Sequence, residues 1–230
     1  IMKRVQMFLA GAFIAVGSLY AQTPASECKV CVAKLKETIQ ANPAQAAEEA
    51  GQMIKGKNKK NIELLVAIGE AYLEAGKIPE AQQYAALAKK ANGKSADAAV
   101  LEGDIALKQK NAGLHSQKYE EAIYFNPRCA AAYLKFADIY KMANSSLAIE
   151  KLNQLKALQP SNTGVDKKLA EIYYLKNDFS KAADAYSRFA MGPVATEEDL
   201  VKYAFALFLN HDFEKSLEVA NMGLQKNPRH

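Results

Sequence analysis

Two cysteines open the ordered chemistry of this 230-residue chain: Cys28 and Cys31, a C-x-x-C at the start of a predicted helix. That spacing allows three readings. One is a structural disulfide or a buried pair. A second is two inert thiols. The third is a redox or metal role, since a helix N-terminus lowers a thiol pKa. A redox motif of this kind belongs in a βαβ setting, and no strand pattern surrounds it. A zinc site needs two more ligands nearby, whereas His115 and Cys129 lie far along the chain without paired spacing. Both read more simply as core residues, His115 at a crowded position and Cys129 at a helix start. The sequence has no H-E-x-x-H, no G-x-S-x-G and no glycine-rich phosphate loop. We therefore expect no catalytic residues, no metal and no cofactor.

The elements that must position any site come from a repeat. Pro127, Pro160, Pro193 and Pro228 stand at nearly even intervals, each after a stretch of the same layout. From Ile62, a small residue comes eighth (Gly69), an aromatic eleventh (Tyr72), alanine twentieth and twenty-seventh (Ala81, Ala88), and Gly93 breaks the pattern. The next copies read Gly103, Ala106, His115, Ala122, Pro127, and then Ala137, Tyr140, Ala148, Leu155, Pro160, with one turn residue lost. Two more follow: Ala170, Tyr173, Ala182, Phe189, Pro193, and Ala204, Leu207, Ser216, Gly223, Pro228. Apolar residues recur at steps of three and four, as in Ile62, Leu65, Ile68, Tyr72, which is a helical period. Twelve helices are predicted, near 27–41, 43–56, 61–75, 78–90, 95–109, 114–125, 130–142, 145–157, 163–175, 179–190, 196–209 and 213–226. Gly76, Asn111, Asn177 and Asp212 fit turns between them. One such unit cannot bury its apolar face alone, but stacked copies can.

This skeleton resembles the tetratricopeptide repeat. The match covers five copies within 61–230 (about 62–95, 96–129, 130–162, 163–196 and 197–230), with a degenerate copy at 27–60. The resemblance implies an all-α fold, a right-handed superhelical solenoid of antiparallel helix pairs, and binding rather than catalysis. The first helix of each pair would line a concave groove. Carried over, its ninth place reads Glu70, Asp104, Asp138, Glu171 and then Phe205, a ladder of four carboxylates at intervals of 34, 34 and 33 residues. Val66, Val100, Leu134, Tyr174 and Phe208 would flank them. Such a groove suits a protein or peptide with a basic and apolar segment. The lysine–asparagine clamp that holds a free C-terminal carboxylate in chaperone-docking members is matched only at Lys167.

Met2-Lys3-Arg4, the uncharged run Phe8 to Leu19 and Tyr20-Ala21-Gln22 read as a signal peptide over residues 1–21, followed by a short exposed segment at 22–26. A retained N-terminal anchor is the competing reading. Glu27 before Cys28 argues against lipid attachment, and no membrane span is expected after signal removal. The net charge of +5 is too small and dispersed for a nucleic-acid footprint. The one dense basic cluster, Lys55, Lys57, Lys59 and Lys60, reads as a solvated turn or an anionic-surface contact. Helix 213–226 carries apolar residues around much of its circumference, so further chain or a partner is expected to cover it. The expected function is a non-enzymatic interaction scaffold of a bacterial cell envelope. Alternatives are an accessory subunit of a secretion or outer-membrane assembly complex, and the N-terminal part of a longer protein with its catalytic domain beyond residue 230.

Overall fold

The computed structural model describes residues 28–190 and 192–226. The signal-peptide assignment at 1–21, the segment at 22–26, the Cys28 side chain needed for a disulfide to Cys31, and Pro228 and His230 lie outside the described residues. Two compact units divide at Cys129 and Ala130. The first holds α1 Cys28–Ala41, α2 Pro43–Met53, a 3-10 turn Gly56–Lys60, α3 Ile62–Glu74, α4 Ile78–Ala91, α5 Ala96–Lys108 and α6 Ala112–Phe125. The second holds α7 Ala130–Ala143, α8 Ser145–Leu158, α9 Thr163–Leu175, α10 Phe179–Phe189, α11 Glu197–Leu209 and α12 Phe213–Lys226. No strand occurs among the described residues. Within each unit, an odd-numbered helix packs on the even one after it. The next odd helix then returns against the earlier one, as α3 does on α1, α5 on α3 and α9 on α7.

The repeat register is a packing register. Ala81, Ala122, Ala148, Ala182, Ala88 and Leu155 are fully buried, as are Ala137 and Ala170. The glycines show why small residues are needed. A Cβ on Gly69 would lie 2.5 Å from Leu101 Cδ2, and one on Gly103 would lie 2.5 Å from Tyr119 Cε1. Both distances are far inside van der Waals contact, so at Gly69 the Leu101 side chain would have to move, and at Gly103 the tethered Tyr119 ring would be pushed off its helix contact. His115 takes an alanine place and is buried, its ring over Tyr119 and its Nδ1 3.0 Å from Ser116 Oγ.

Four helix pairs are joined by one and the same turn. Gly76, Lys110, Asn177 and His211 each adopt a left-handed φ between 58° and 74°. After each, a backbone N–H reaches back five residues: Lys77 to Tyr72, Asn111 to Ala106, Asp178 to Tyr173, and Asp212 to Leu207, at 2.8–2.9 Å. This closes the helix end and reverses the chain within a few residues. The α7–α8 pair lacks the left-handed residue. Asn144 follows Ala143 directly, donates its N–H to Tyr140 and caps α8 through its side chain. The residue missing from that copy of the repeat is therefore the left-handed one.

Polar side chains start the helices. Asn42, Asn61, Ser95, Asn111, Asn144, Asn162 and Asp178 each accept a backbone N–H from the first helical turn. Each such cap contributes about 1 kcal/mol. Thr196 and Asp199 form a reciprocal capping box on α11. One helix ends earlier than its periodicity predicts: α2 stops at Met53 rather than at 56. Gly56 there takes a φ of 58°, and the buried Asn58 donates its amide to the Met53 carbonyl at 3.2 Å, closing the helix from outside.

Asp166 stands fourth in its repeat, where other copies bury Leu65, Tyr133 and Leu200. It is buried, and it is held by Lys156 from α8 and by Arg188 from α10 at 2.9 Å. One carboxylate thus ties three consecutive helices. Asp199 is buried likewise, with Lys167 of α9 at 2.9 Å. Burial pushes its pKa up. The Thr196 N–H, the Thr196 hydroxyl and Lys167 outweigh that, and the net pKa falls below the ordinary carboxylate value.

Gly103→Ala is expected to cost about 1–3 kcal/mol, because the Tyr119 ring it meets is tethered by its own hydroxyl. Gly51→Ala, where a Cβ meets nothing within 4 Å, is expected to stabilise by about 0.5–1 kcal/mol through helix propensity. Urea titrations of both variants check the pair. A further expectation concerns acid. A carboxylate with a lowered folded-state pKa contributes stability above its unfolded value, and that contribution disappears as pH falls through the folded value. Asp199→Asn is therefore expected to lower Tm at pH 7 and to narrow the gap to wild type as pH falls below about 4, read by melting curves across pH.

Candidate partner-binding faces

In the first unit the groove positions lie on α3 and α5. Val66 and Val100 are 7% and 5% exposed, so they belong to the core and offer a partner little surface. Glu70 is exposed, and Leu107 is half exposed one turn from Asp104. Asp104 accepts a 2.7 Å hydrogen bond from the hydroxyl of Tyr119, a tyrosine otherwise fully buried. That carboxylate therefore serves the fold, satisfying a phenol that the helix contact at Gly103 has buried.

In the second unit the two carboxylates are neutralised internally. Lys168 Nζ lies 2.8 Å from Asp138 and 3.4 Å from Glu171, and Lys141 lies 3.2 Å from Asp138. Burial works against the charge on Lys168, yet these carboxylates raise its pKa on balance. Sequence reasoning missed Lys168; its signal was its place three residues before Glu171 and on the same helical face. Tyr186 occupies the place in its repeat that Tyr119 holds in the first unit. With Glu171 turned to Lys168, the Tyr186 hydroxyl is buried with no hydrogen-bond partner among the described residues. Burial, then the Glu171 and Asp199 charges, push its pKa up. Lys167, the candidate carboxylate clamp, is engaged by Asp199 and lies 5.3 Å above the Phe189 ring.

What the second unit exposes is aromatic. Leu134 is partly exposed on α7. Tyr174 meets Phe205 with ring centroids 6.5 Å apart, Phe205 meets Phe208 at 6.3 Å, and Phe208 meets Phe213 edge-on at 5.4 Å. Phe179 meets Tyr174 edge-on at 5.7 Å in the same way, one repeat earlier. Phe205, Phe208 and Phe213 are 50%, 51% and 56% exposed. The strip borders a cavity of ≈460 Å³ between α11 and α12, lined by Val201, Ala204, Phe205, Phe208, Ala220 and Leu224 among others. α12 buries only Val219 and Gly223, and leaves Phe213, Leu217 and Leu224 in solvent. Phe179 and Phe213 were missed as groove residues, although each is the first helical residue after a turn and they stand 34 apart.

Cys31 is partly buried and Cys129 buried. Among the described residues no group of three or more His, Cys, Asp or Glu side chains is placed to hold a metal ion, and no helix is long and apolar enough to cross a membrane.

No family model matches the chain, and no curated protein does. Solved structures do. The chain is similar to PilF of Pseudomonas aeruginosa, at 15% identity over 88% of this chain and 93% of that one, with a TM-score of 0.63. It is similar to PilW, described as a widely conserved type IV pilus biogenesis factor, at 17% identity over 90% and 96%, TM-score 0.64. It is also similar to YrrB, described as a tetratricopeptide-repeat protein with an unusual peptide-binding site, at 13% identity over 79% and 93%, TM-score 0.56. Paired antiparallel helices, the recurring small-residue contacts and these likenesses agree: the chain has the all-α tetratricopeptide-repeat fold.

Proposed function

We propose that this chain is a non-enzymatic interaction scaffold of a bacterial cell envelope, and that its second unit binds a protein segment through the aromatic strip Tyr174–Phe205–Phe208. The observation that carries the reading is the exposure of three contacting phenylalanines beside an apolar cavity. A contiguous exposed aromatic patch of this kind marks interaction surfaces. The partner segment presents apolar anchors to the strip. Its basic residues are read by the carboxylates Asp138 and Glu171, which exchange Lys141 and Lys168 for the partner's cations. In the first unit, Glu70 and Asp104 offer weaker attraction of the same sign, and Val66 and Val100 shape the floor without being touched.

The envelope assignment draws on the signal-like residues 1–21 and on the likeness to PilF and PilW. That likeness also favours a second form of the reading, in which the chain is an accessory subunit of a secretion or outer-membrane assembly complex. The C-terminal face on α12 is where further chain or a second contact of that partner would pack.

Purification from the producing cell envelope is expected to recover a partner. Phe205→Ala and Phe208→Ala are each expected to weaken its binding by about 2 kcal/mol or more, mainly through faster dissociation. Asp138→Lys is expected to slow association and flatten its salt dependence. Helical circular dichroism should be unchanged in all three, because these side chains face solvent. Wild-type binding by all three variants would exclude this face.

A further inference from the structure

The structure assigns a second docking site, of opposite charge, to the first unit: a lysine-rimmed apolar cleft that takes an acidic peptide segment with one large apolar side chain. The basic cluster of the sequence does not lie along an open turn. The 3-10 turn Gly56–Lys60 folds against α4, and between them opens a cleft of ≈510 Å³. Ile54, Leu87 and Ala91 form its apolar part. Lys55, Lys59 and Lys60 from the turn and Lys90 from α4 stand around it, the last being distant in sequence from the others. Gly51, in the last turns of α2, leaves one side without a side chain.

Charge selects the occupant. No carboxylate lines the cleft, and among the described residues none pairs with Lys55, Lys59, Lys60 or Lys90. Neighbouring lysines elsewhere in this unit are paired, as Lys89 and Lys118 are with Glu102. Four unpaired ammonium groups around an apolar hollow repel one another and favour an anionic ligand. Shape selects between anionic classes. A bilayer is flat on this scale and would meet the lysines without filling the hollow. A peptide can place a leucine or phenylalanine against Ile54 and Leu87 while flanking carboxylates reach the lysines. A cleft of this size admits one such side chain together with part of the flanking peptide. No residue of the cleft belongs to the groove positions, so this site and the aromatic strip can be occupied by different segments.

A fluorescein-labelled decapeptide with four glutamates around a central phenylalanine, followed by anisotropy, tests the site. Binding to wild type is expected, weakened about tenfold or more by Lys59→Glu combined with Lys90→Glu. Gly51→Leu, which fills the cleft and keeps every lysine, is expected to weaken it similarly. Replacing the peptide's phenylalanine by serine should do the same, and Phe205→Ala should leave binding unchanged, which separates this site from the groove. The proposal is overturned by any of three results: no peptide binding, equal binding of the serine peptide, or wild-type binding by Gly51→Leu. Binding of phosphatidylglycerol vesicles without peptide binding would assign the lysines to a membrane surface and overturn it too. Melting temperatures near wild type for each variant exclude unfolding as the cause.

Discussion

Everything in this molecule depends on how closely two helices of a pair can approach. At Gly103 the Tyr119 ring of the paired helix leaves no room for a methyl group, at Gly69 the paired helix is already in contact range through Tyr84, and Ala81, Ala122, Ala148 and Ala182 are fully buried. A close approach brings aromatic rings of one helix against the small residues of the other, as Tyr119 lies against Gly103. The same approach fixes what each helix turns outward. Once the eighth place of α11 faces α12, the fifth, ninth and twelfth places hold Val201, Phe205 and Phe208 toward solvent. Partner-facing residues and core residues are thus two readings of one helical register.

The turns enforce that register. A left-handed residue followed by a bond spanning five residues reverses the chain in the same way at four places, whether the residue is glycine, asparagine, lysine or histidine. Lysine and histidine adopt that conformation at some cost, so the contacts made by the following helix must compensate. Where the residue is deleted, at Asn144, the pair still forms: the Asn144 N–H bonds the Tyr140 carbonyl four residues back, and its side chain caps the next helix as Asn111 and Asp178 do elsewhere.

Much of this could be read from the sequence, and the reasons differ by level. The fold was legible because small residues recur at fixed places, and close packing leaves few ways to satisfy that pattern. The helices lie where the period put them, apart from α2, whose early end depends on Asn58 reaching a carbonyl five residues back. The site was legible only in part. The ninth places of the repeats could be picked out, but not what their side chains would bond to. Asp104 is engaged by Tyr119, fifteen residues on, and Asp138 by Lys168, thirty residues on, and such residues meet only after helices stack; the Lys168–Glu171 pair, three apart on one helix, was within reach of the sequence. Val66 and Val100 likewise looked like surface and are core. Tyr174, Phe205 and Phe208 could be picked out as groove places; Phe179 and Phe213, which join them across turns, could not.

Two faces of opposite character now distinguish the units, an aromatic strip with compensated charge in the second and an uncompensated lysine cleft in the first. A protein with two such faces is suited to holding two different segments at once, which is what a scaffold does and what a single pocket cannot do. The central claim is that the exposed phenylalanines of α11 touch a protein partner. Replacing Phe205 by the photo-crosslinking residue benzoylphenylalanine, and irradiating the producing cells, tests it most directly. The account predicts one dominant crosslinked partner from position 205, and none from the exposed α6 position Tyr124. Crosslinking from 124 with nothing at 205 would contradict it.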